Sequence, residues 1–317
     1  MTATVTTPTR WAHEDTFAPL PVTDAPPPGT PEWARIVTAS KIPALAGLSQ
    51  YDSPVSLWAK ATGRMSADTA PTEVTERGDA VEPALLAWLQ LKLGDVTVRS
   101  GYATAHPDRE TWQATPDGLV YEGTGRSRRR TPYALVECKT AANGGAWGEP
   151  GTAQIPAAYQ AQCAWQMHVT GAHLVYVPAL VNPGIRLNLW VVRREDVADQ
   201  IAELAARATA WEECVNEDRR PDLDGAPMTL EAVREMSPEI DPQRTATVDH
   251  WDAVELLTAK QALTAAEERL RLAQSQVIET AAGARTITTP EGTVIATLQA
   301  RKSKDGSFGK PFLKLAA

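Results

Sequence analysis

Apolar residues recur along this chain with two periods, and the switches between them outline its elements. From Ala39 to Leu48 the stretch ASKIPALAGL predicts a short helix, interrupted by Pro43 and closed by Gly47. SPVSLWAKATG predicts a second helix, with Ser53 as its cap and Pro54 at its first position. RGDAVEPALLAWLQLKLG predicts an amphipathic helix that buries Val81, Leu85, Leu86, Trp88 and Leu89 and stops at Gly94. The pattern then shortens. VTVRSGYATAH, TWQATPDGLVYEG and YALVECKTA are rich in Thr, Val, Tyr and Trp with turn residues between them, as strands are. IPAAYQAQCAWQMHVTG returns to a helix ending at Gly171, AHLVYVPALV and IRLNLWVVRR give two strands around the turn VNPG, and EDVADQIAELAARATAWEECV gives a long helix.

This order predicts an α/β (α+β) fold with a central mixed sheet flanked by helices. Residues 1–30, rich in Thr, Pro and small residues, are expected to form a flexible tail, and 31–218 the core. The Pro- and Asp-rich stretch 219–248 is expected to be a linker. Residues 249–317 are expected to form an appendage. In it Leu256, Leu263, Leu270 and Val277 recur every seven residues with Ala259, Ala266 and Ala273 three later, a coiled-coil-like seam, and RTITTPEGTVIATLQAR follows as a hairpin.

Composition narrows the function. Hydrophobic content of 43% and charged content of 22% are ordinary for a soluble protein, no stretch suits a membrane span, and the N-terminus lacks the pattern of a secretory signal, so an intracellular, cytoplasmic location is expected. Cys138, Cys163 and Cys214 form no CxxC pair, which argues against a disulfide framework and a four-cysteine metal or cluster site. The net charge of −8 does not favour DNA, whose phosphates call for Lys and Arg, unless a local basic stripe exists. Arg126, Arg128, Arg129 and Arg130 are a candidate stripe, and equally a solvated turn.

The segment 115–139 carries the chemistry. Alternation along LVECKT points Glu137 and Lys139 to one face and Val136 and Cys138 to the other. If TPDG ends a neighbouring strand, Asp117 reaches the same place. Two adjacent carboxylates repel unless a divalent cation lies between them, and oxygen donors without His or Cys favour Mg²⁺ or Mn²⁺. Lys139 beside such an ion can orient or deprotonate a water and offset transition-state charge. Each motif alone also fits a blander reading, a surface ion pair for Glu137 and Lys139 and a plain turn for PDG. The apolar setting of LVECKT makes two charged side chains there costly without a partner or a task.

The blocks RGDAVEPAL, ATPDGL, LVECKTA and IPAAYQAQCAWQMHVTG, in that order, resemble the YqaJ-type viral recombinase family, which includes lambda-type exonucleases, over roughly Trp33 to Val192. The resemblance implies a PD-(D/E)XK restriction-endonuclease-like core. By it, Asp117, Glu137 and the main-chain carbonyl of Cys138 bind metal, Glu82 completes the site through a second metal or a water, and Lys139 is the catalytic lysine. Gln162 closes the site near that lysine, and Tyr159 marks the same motif. Arg35, Ser40 and Thr115 are implied as a pocket for the 5′-phosphate of DNA, although Arg35 stands closer to Ser40 than the pattern leads one to expect. The implied activity is 5′-to-3′ digestion of double-stranded DNA ends, leaving 3′ single strands for a single-strand annealing protein. The implied assembly is a toroidal homo-trimer, and the implied setting a phage or prophage in a bacterial host. Two alternatives stay open: an endonuclease on the same core, and a non-catalytic DNA-binding or assembly protein.

Overall fold

The computed structural model describes residues 17, 23–67, 72–142, 144–181, 186–302 and 307–316. The turn VNPG lies largely outside them, as does most of the tail. Two units divide the chain, Met1–Pro238 and Glu239–Ala317. Among the described residues no helix is long and apolar enough to cross a membrane.

The first unit is a mixed α/β structure around a six-stranded sheet. Strands β2 (Val96–Ser100), β5 (Gly118–Glu122), β6 (Ala134–Val136), β7 (Lys139–Ala141), β8 (Leu174–Val181) and β9 (Arg186–Arg193) build it. β2, β5 and β6 run antiparallel to one another in that order, β6 and β7 lie end to end in parallel along β8, and β9 closes the far side antiparallel. A small second sheet orders β1 (Val37–Thr38), β4 (Arg109–Ala114) and β3 (Thr104–His106). The expected strand block therefore splits between two sheets. The split occurs where Gly101 lies so close to Pro116 that a Cβ on it would stand 1.8 Å from the Pro116 carbonyl oxygen.

Helix α4 (Glu73–Leu93) covers one face of the main sheet. It begins before the expected Arg77, because Thr72 and Thr75 form a capping box that satisfies the free N–H groups of the first turn. Leu86, Leu89 and Leu93 pack there with Val96, Val120, Val136 and Tyr176. Helices α5 (Ala157–Thr170) and α6 (Ala198–Asn216) cover the other face, with Trp165, Met167, Leu204 and Trp211 against Leu135, Val175 and Val177. Both faces of β8 are buried, which explains its unbroken apolar run.

Three short helices, α1 (Pro31–Arg35), α2 (Ile42–Leu45) and α3 (Pro54–Ala61), precede α4. α3 carries the expected cap at Ser53. The stretch expected as a linker contains a further helix, α7 (Pro227–Met236), which packs on α3 and buries Thr229 and Ala232, so the first unit extends past Asn216. Likewise Thr23 donates its N–H to the Ala103 carbonyl at 3.1 Å, so the end of the expected tail is tied to the core.

The second unit contains α8 (His250–Ala281) and a three-stranded sheet. β10 (Thr286–Thr288) and β11 (Val294–Gln299) pair antiparallel around Pro290–Gly292, the expected hairpin. β12 (Phe312–Leu315) adds an edge that the sequence pattern did not reveal.

Candidate active site

The strand that carries Glu137 and Lys139 is interrupted at 137–138, yet its register along β8 is the same on either side. That register sets Cys138 opposite Pro178, which has no N–H to give the ladder. The alternation of side chains survives the gap. Val136 and Cys138 face the core under α4, and Glu137 and Lys139 face α5.

Glu137 is only 1% exposed, and a buried carboxylate needs donors. It has three. Lys139 donates to its Oε1, Gln162 Nε2 donates to the same oxygen at 2.5 Å, and Gln166 Nε2 donates to Oε2 at 2.6 Å. A carboxylate offers about four lone-pair sites, so one remains open. The Lys139 ammonium also sits 5.0 Å from the centroid of the Tyr159 ring. Gln162 and Gln166 are one helical turn apart and therefore share a face of α5. That helix is held by the packing of Trp165 and His168 on Trp112 of β4, with ring centroids 4.9 and 5.4 Å apart.

Asp117 lies just before β5, so TPDG begins that strand rather than ending one. Its Oδ2 accepts from the N–H of Cys138 at 2.6 Å, and its carbonyl accepts from the N–H of Gly101 at 2.9 Å. Gly118 after it permits close packing, since a Cβ there would stand 2.7 Å from Leu86 Cδ2 and 3.2 Å from Val136 Cβ. α4 is thereby seated against the sheet at this point, and Glu82, one turn before Leu86, is brought within electrostatic reach of the site.

These charges perturb one another. Burial, then the neighbouring Glu137 carboxylate, pushes the Asp117 carboxyl up to about 8. Burial, followed by Asp79 and Glu137, raises the Glu82 carboxyl as well. Burial pulls the Lys139 ammonium down, but Glu137 and Asp117 together outweigh it and hold it above its ordinary value. The cluster has more negative groups than its one ammonium offsets, and a divalent cation would relieve that imbalance.

Ser40, Thr115 and Gln162 line one cavity of about 420 Å³, together with Trp33, Gln113 and the prolines Pro26–Pro28. Thr38 and Ser40 share a hydroxyl hydrogen bond of 2.9 Å at its rim. Arg35 does not join them. Its position in the last turn of α1 directs the guanidinium to the Ala61 carbonyl at 3.3 Å, and it lines a separate hollow with Lys60 and Thr62. Lys41 was not singled out from the sequence. It is buried, and its ammonium donates to the carbonyls of Trp33, Ala34 and Ile36, which fixes the turn that carries Ser40. Arg128 lies over the Tyr121 ring at 4.8 Å and Arg129 pairs with Glu122 at 2.5 Å, so half of the arginine run is engaged within the chain.

Residues 33–173 match the family model of the YqaJ-like viral recombinase domain. This matched segment, similar to the YqaJ-like viral recombinase domain, makes up less than half of the 317-residue chain. It contains the whole cluster from Glu82 to Gln166. Two solved structures are also similar to this chain. They are an alkaline exonuclease (LHK-Exo) from Laribacter hongkongensis and LHK-Exo in complex with dAMP. Each is 20% identical with a TM-score of 0.42, covering 58% of this chain and 90% of the other. No curated protein matches the chain.

Gln166 is the residue of the cluster around Glu137 that sequence reasoning missed. Its signal was a second glutamine four residues after Gln162, at an otherwise buried position of α5. Its Oε1 is buried without a hydrogen-bond partner, so the side chain is retained at a cost. Replacing Gln166 with Leu is expected to leave Glu137 Oε2 without its donor and to lower stability by about 1–3 kcal/mol. Urea unfolding of the metal-free protein measures this, and an unchanged midpoint would contradict it.

Proposed function

We propose that this protein is a divalent-metal-dependent deoxyribonuclease that digests double-stranded DNA from 5′ ends by phosphodiester hydrolysis, leaving 3′ single strands for recombination with an annealing partner. The observation that carries the reading is the meeting of Asp117, Glu137, Lys139 and Gln162 at one buried point inside a YqaJ-like domain. On this reading the roles of these residues follow from their surroundings.

Among the described residues no three His, Cys, Asp or Glu side chains form a ready metal cage. The donors that do meet near Lys139 are the carboxylates of Asp117 and Glu137, oxygen ligands that fit Mg²⁺ or Mn²⁺ better than zinc, and Mg²⁺ commonly takes one or two carboxylates with waters and substrate phosphates as its other ligands. Asp117 and Glu137 would hold the ion, with the Cys138 carbonyl, and Glu82 would act through water. In an extended strand a residue's N–H and C=O point to the same edge, and the Cys138 N–H already meets Asp117. When bound, the ion supplies positive charge to polarise a phosphoryl oxygen and acidify a water. Lys139, kept charged by two carboxylates, orients the attacking water and stabilises charge on the transferring phosphoryl group. Gln162 bridges this centre to the cavity lined by Ser40 and Thr115, where hydroxyl donors would receive the terminal phosphate of the DNA strand.

A linear duplex with 5′-phosphates should be degraded in Mg²⁺ and spared in EDTA, and covalently closed circles should stay intact. Equal cleavage of the circles would replace this reading with an endonuclease, and no cleavage of either would remove it.

The raised Asp117 carboxyl sets a pH dependence. Ion binding must displace its proton, so Mg²⁺ affinity should rise with pH up to about 8, by at most about tenfold per unit, and level off above it. The stability of the metal-free protein should move the opposite way. A carboxyl raised in the native state favours folding at pH values near its unfolded pKa and loses that contribution as pH climbs to about 8. Calorimetric titration with Mg²⁺ at several pH values reads the first effect. An affinity independent of pH over this range would exclude Asp117 as a ligand.

A further inference from the structure

Helix α8 runs for 32 residues, and none of them is fully buried. Isolated helices owe little of their stability to propensity, and most gain it by burying an apolar face. α8 has such a face: Leu256, Leu263 and Leu270 recur every seven residues and are 72%, 52% and 51% exposed. Ala259, Ala266 and Ala273 stand three residues after them, on the same seam.

We propose that α8 pairs antiparallel, about a two-fold axis, with α8 of a second copy of this chain, each leucine resting on an alanine of the other helix. Layer volumes choose the direction. In a parallel, in-register pair Leu256 would meet its own equivalent and Ala259 likewise, so wide and narrow layers would alternate and no single helix separation would fill both. In the antiparallel pair Leu256 meets the second copy's Ala273, Ala259 meets its Leu270, and Leu263 meets its Ala266. Every layer then holds one large and one small side chain, and the helices approach evenly over 256–273, about 27 Å of axis. The flanking charges agree, since Lys260 faces Glu267 of the second copy, twice by symmetry. A parallel pair would also bring Glu255 to Lys260, so the layers, not the charges, decide between the two.

The contact is independent of the nuclease reading and of any association made by the first unit. Light scattering of the full chain should give a mass that Leu263→Glu halves, because a carboxylate then enters the seam from both helices. The dissociation constant should rise on the order of 100-fold or more. Since Leu263 is 52% exposed and no residue of α8 is fully buried within its own chain, circular dichroism should show the rest of that variant folded. Lys260→Glu should weaken the pair by about tenfold, and adding Glu267→Lys should restore it. Under oxidation, a mixture of Ala259→Cys and Leu270→Cys chains should cross-link to each other, and Ala259→Cys alone should not. A mass unchanged by Leu263→Glu, a monomeric unsubstituted chain, or self-linking of Ala259→Cys alone would each overturn the proposal.

Discussion

Replacing Lys139 with alanine is expected to reduce DNA cleavage by about 10³-fold while duplex binding changes only a few-fold. Among the described residues the ammonium is the only cation hydrogen-bonded to Glu137, and both Glu137 and Asp117 keep it charged. Removing it takes away the group proposed to orient a water and offset developing charge, but it leaves the cavity lined by Ser40 and Thr115 intact. A structural cost accompanies the catalytic one. A carboxylate that is 1% exposed would lose its counter-charge, and breaking a buried pair from one side typically costs about 3–5 kcal/mol. Gln162 and Gln166 still donate to Glu137, so the loss should lie at the lower end of that range. Mg²⁺ should recover part of it by supplying the missing positive charge. Cleavage rates per folded molecule, with binding measured in Ca²⁺, separate the two effects. Cleavage within tenfold of the unsubstituted protein would show that Lys139 takes no part in the chemistry.

The second large effect is expected far from any charged group. Gly101→Ala would place a methyl carbon 1.8 Å from the Pro116 carbonyl oxygen, an atom of the backbone that has no rotamer to escape into. The segment Thr115–Asp117 must then move, and with it go the hydrogen bonds from Gly101 N–H to the Asp117 carbonyl and from Cys138 N–H to the Asp117 carboxylate. Overpacking of this kind commonly costs about 1–3 kcal/mol, and a backbone obstacle puts this site at or above the top of that range. Activity should fall by about 10²-fold or more even in the molecules that fold, because displacements near 1 Å at a catalytic group have effects of that size. Gly225→Ala, where a Cβ meets nothing within 4 Å, serves as the control and should be silent in both respects. A Gly101→Ala protein with unaltered melting temperature and activity would contradict the close approach between β2 and the TPDG turn.

Much of the core was legible in sequence because its signals are local. The run LVYVPALV read as a strand and is one, and the i, i+2 spacing of Glu137 and Lys139 survived the interruption opposite Pro178 because register is kept through it. What sequence could not supply depends on contacts between distant segments. The two-residue strand β1 has no period of its own and exists through parallel pairing with β4. α7 sits in a segment whose prolines and aspartates read as linker, and it is held by packing on α3. Arg35 falls outside the Ser40–Thr115 cavity because α1 is one short turn whose end faces Ala61, a direction set by tertiary packing. Gln166 was not singled out from the sequence, because only the fold lays its face of α5 over Glu137.

The central claim is that Asp117 and Glu137 grip a divalent cation beside Lys139. Crystals grown with Mn²⁺ test it directly through anomalous diffraction at the manganese edge. A peak between the two carboxylates, in contact with the Cys138 carbonyl and abolished by Asp117→Asn, is the expected result. Manganese bound only elsewhere, or no ordered ion at a concentration that sustains DNA cleavage, would contradict it.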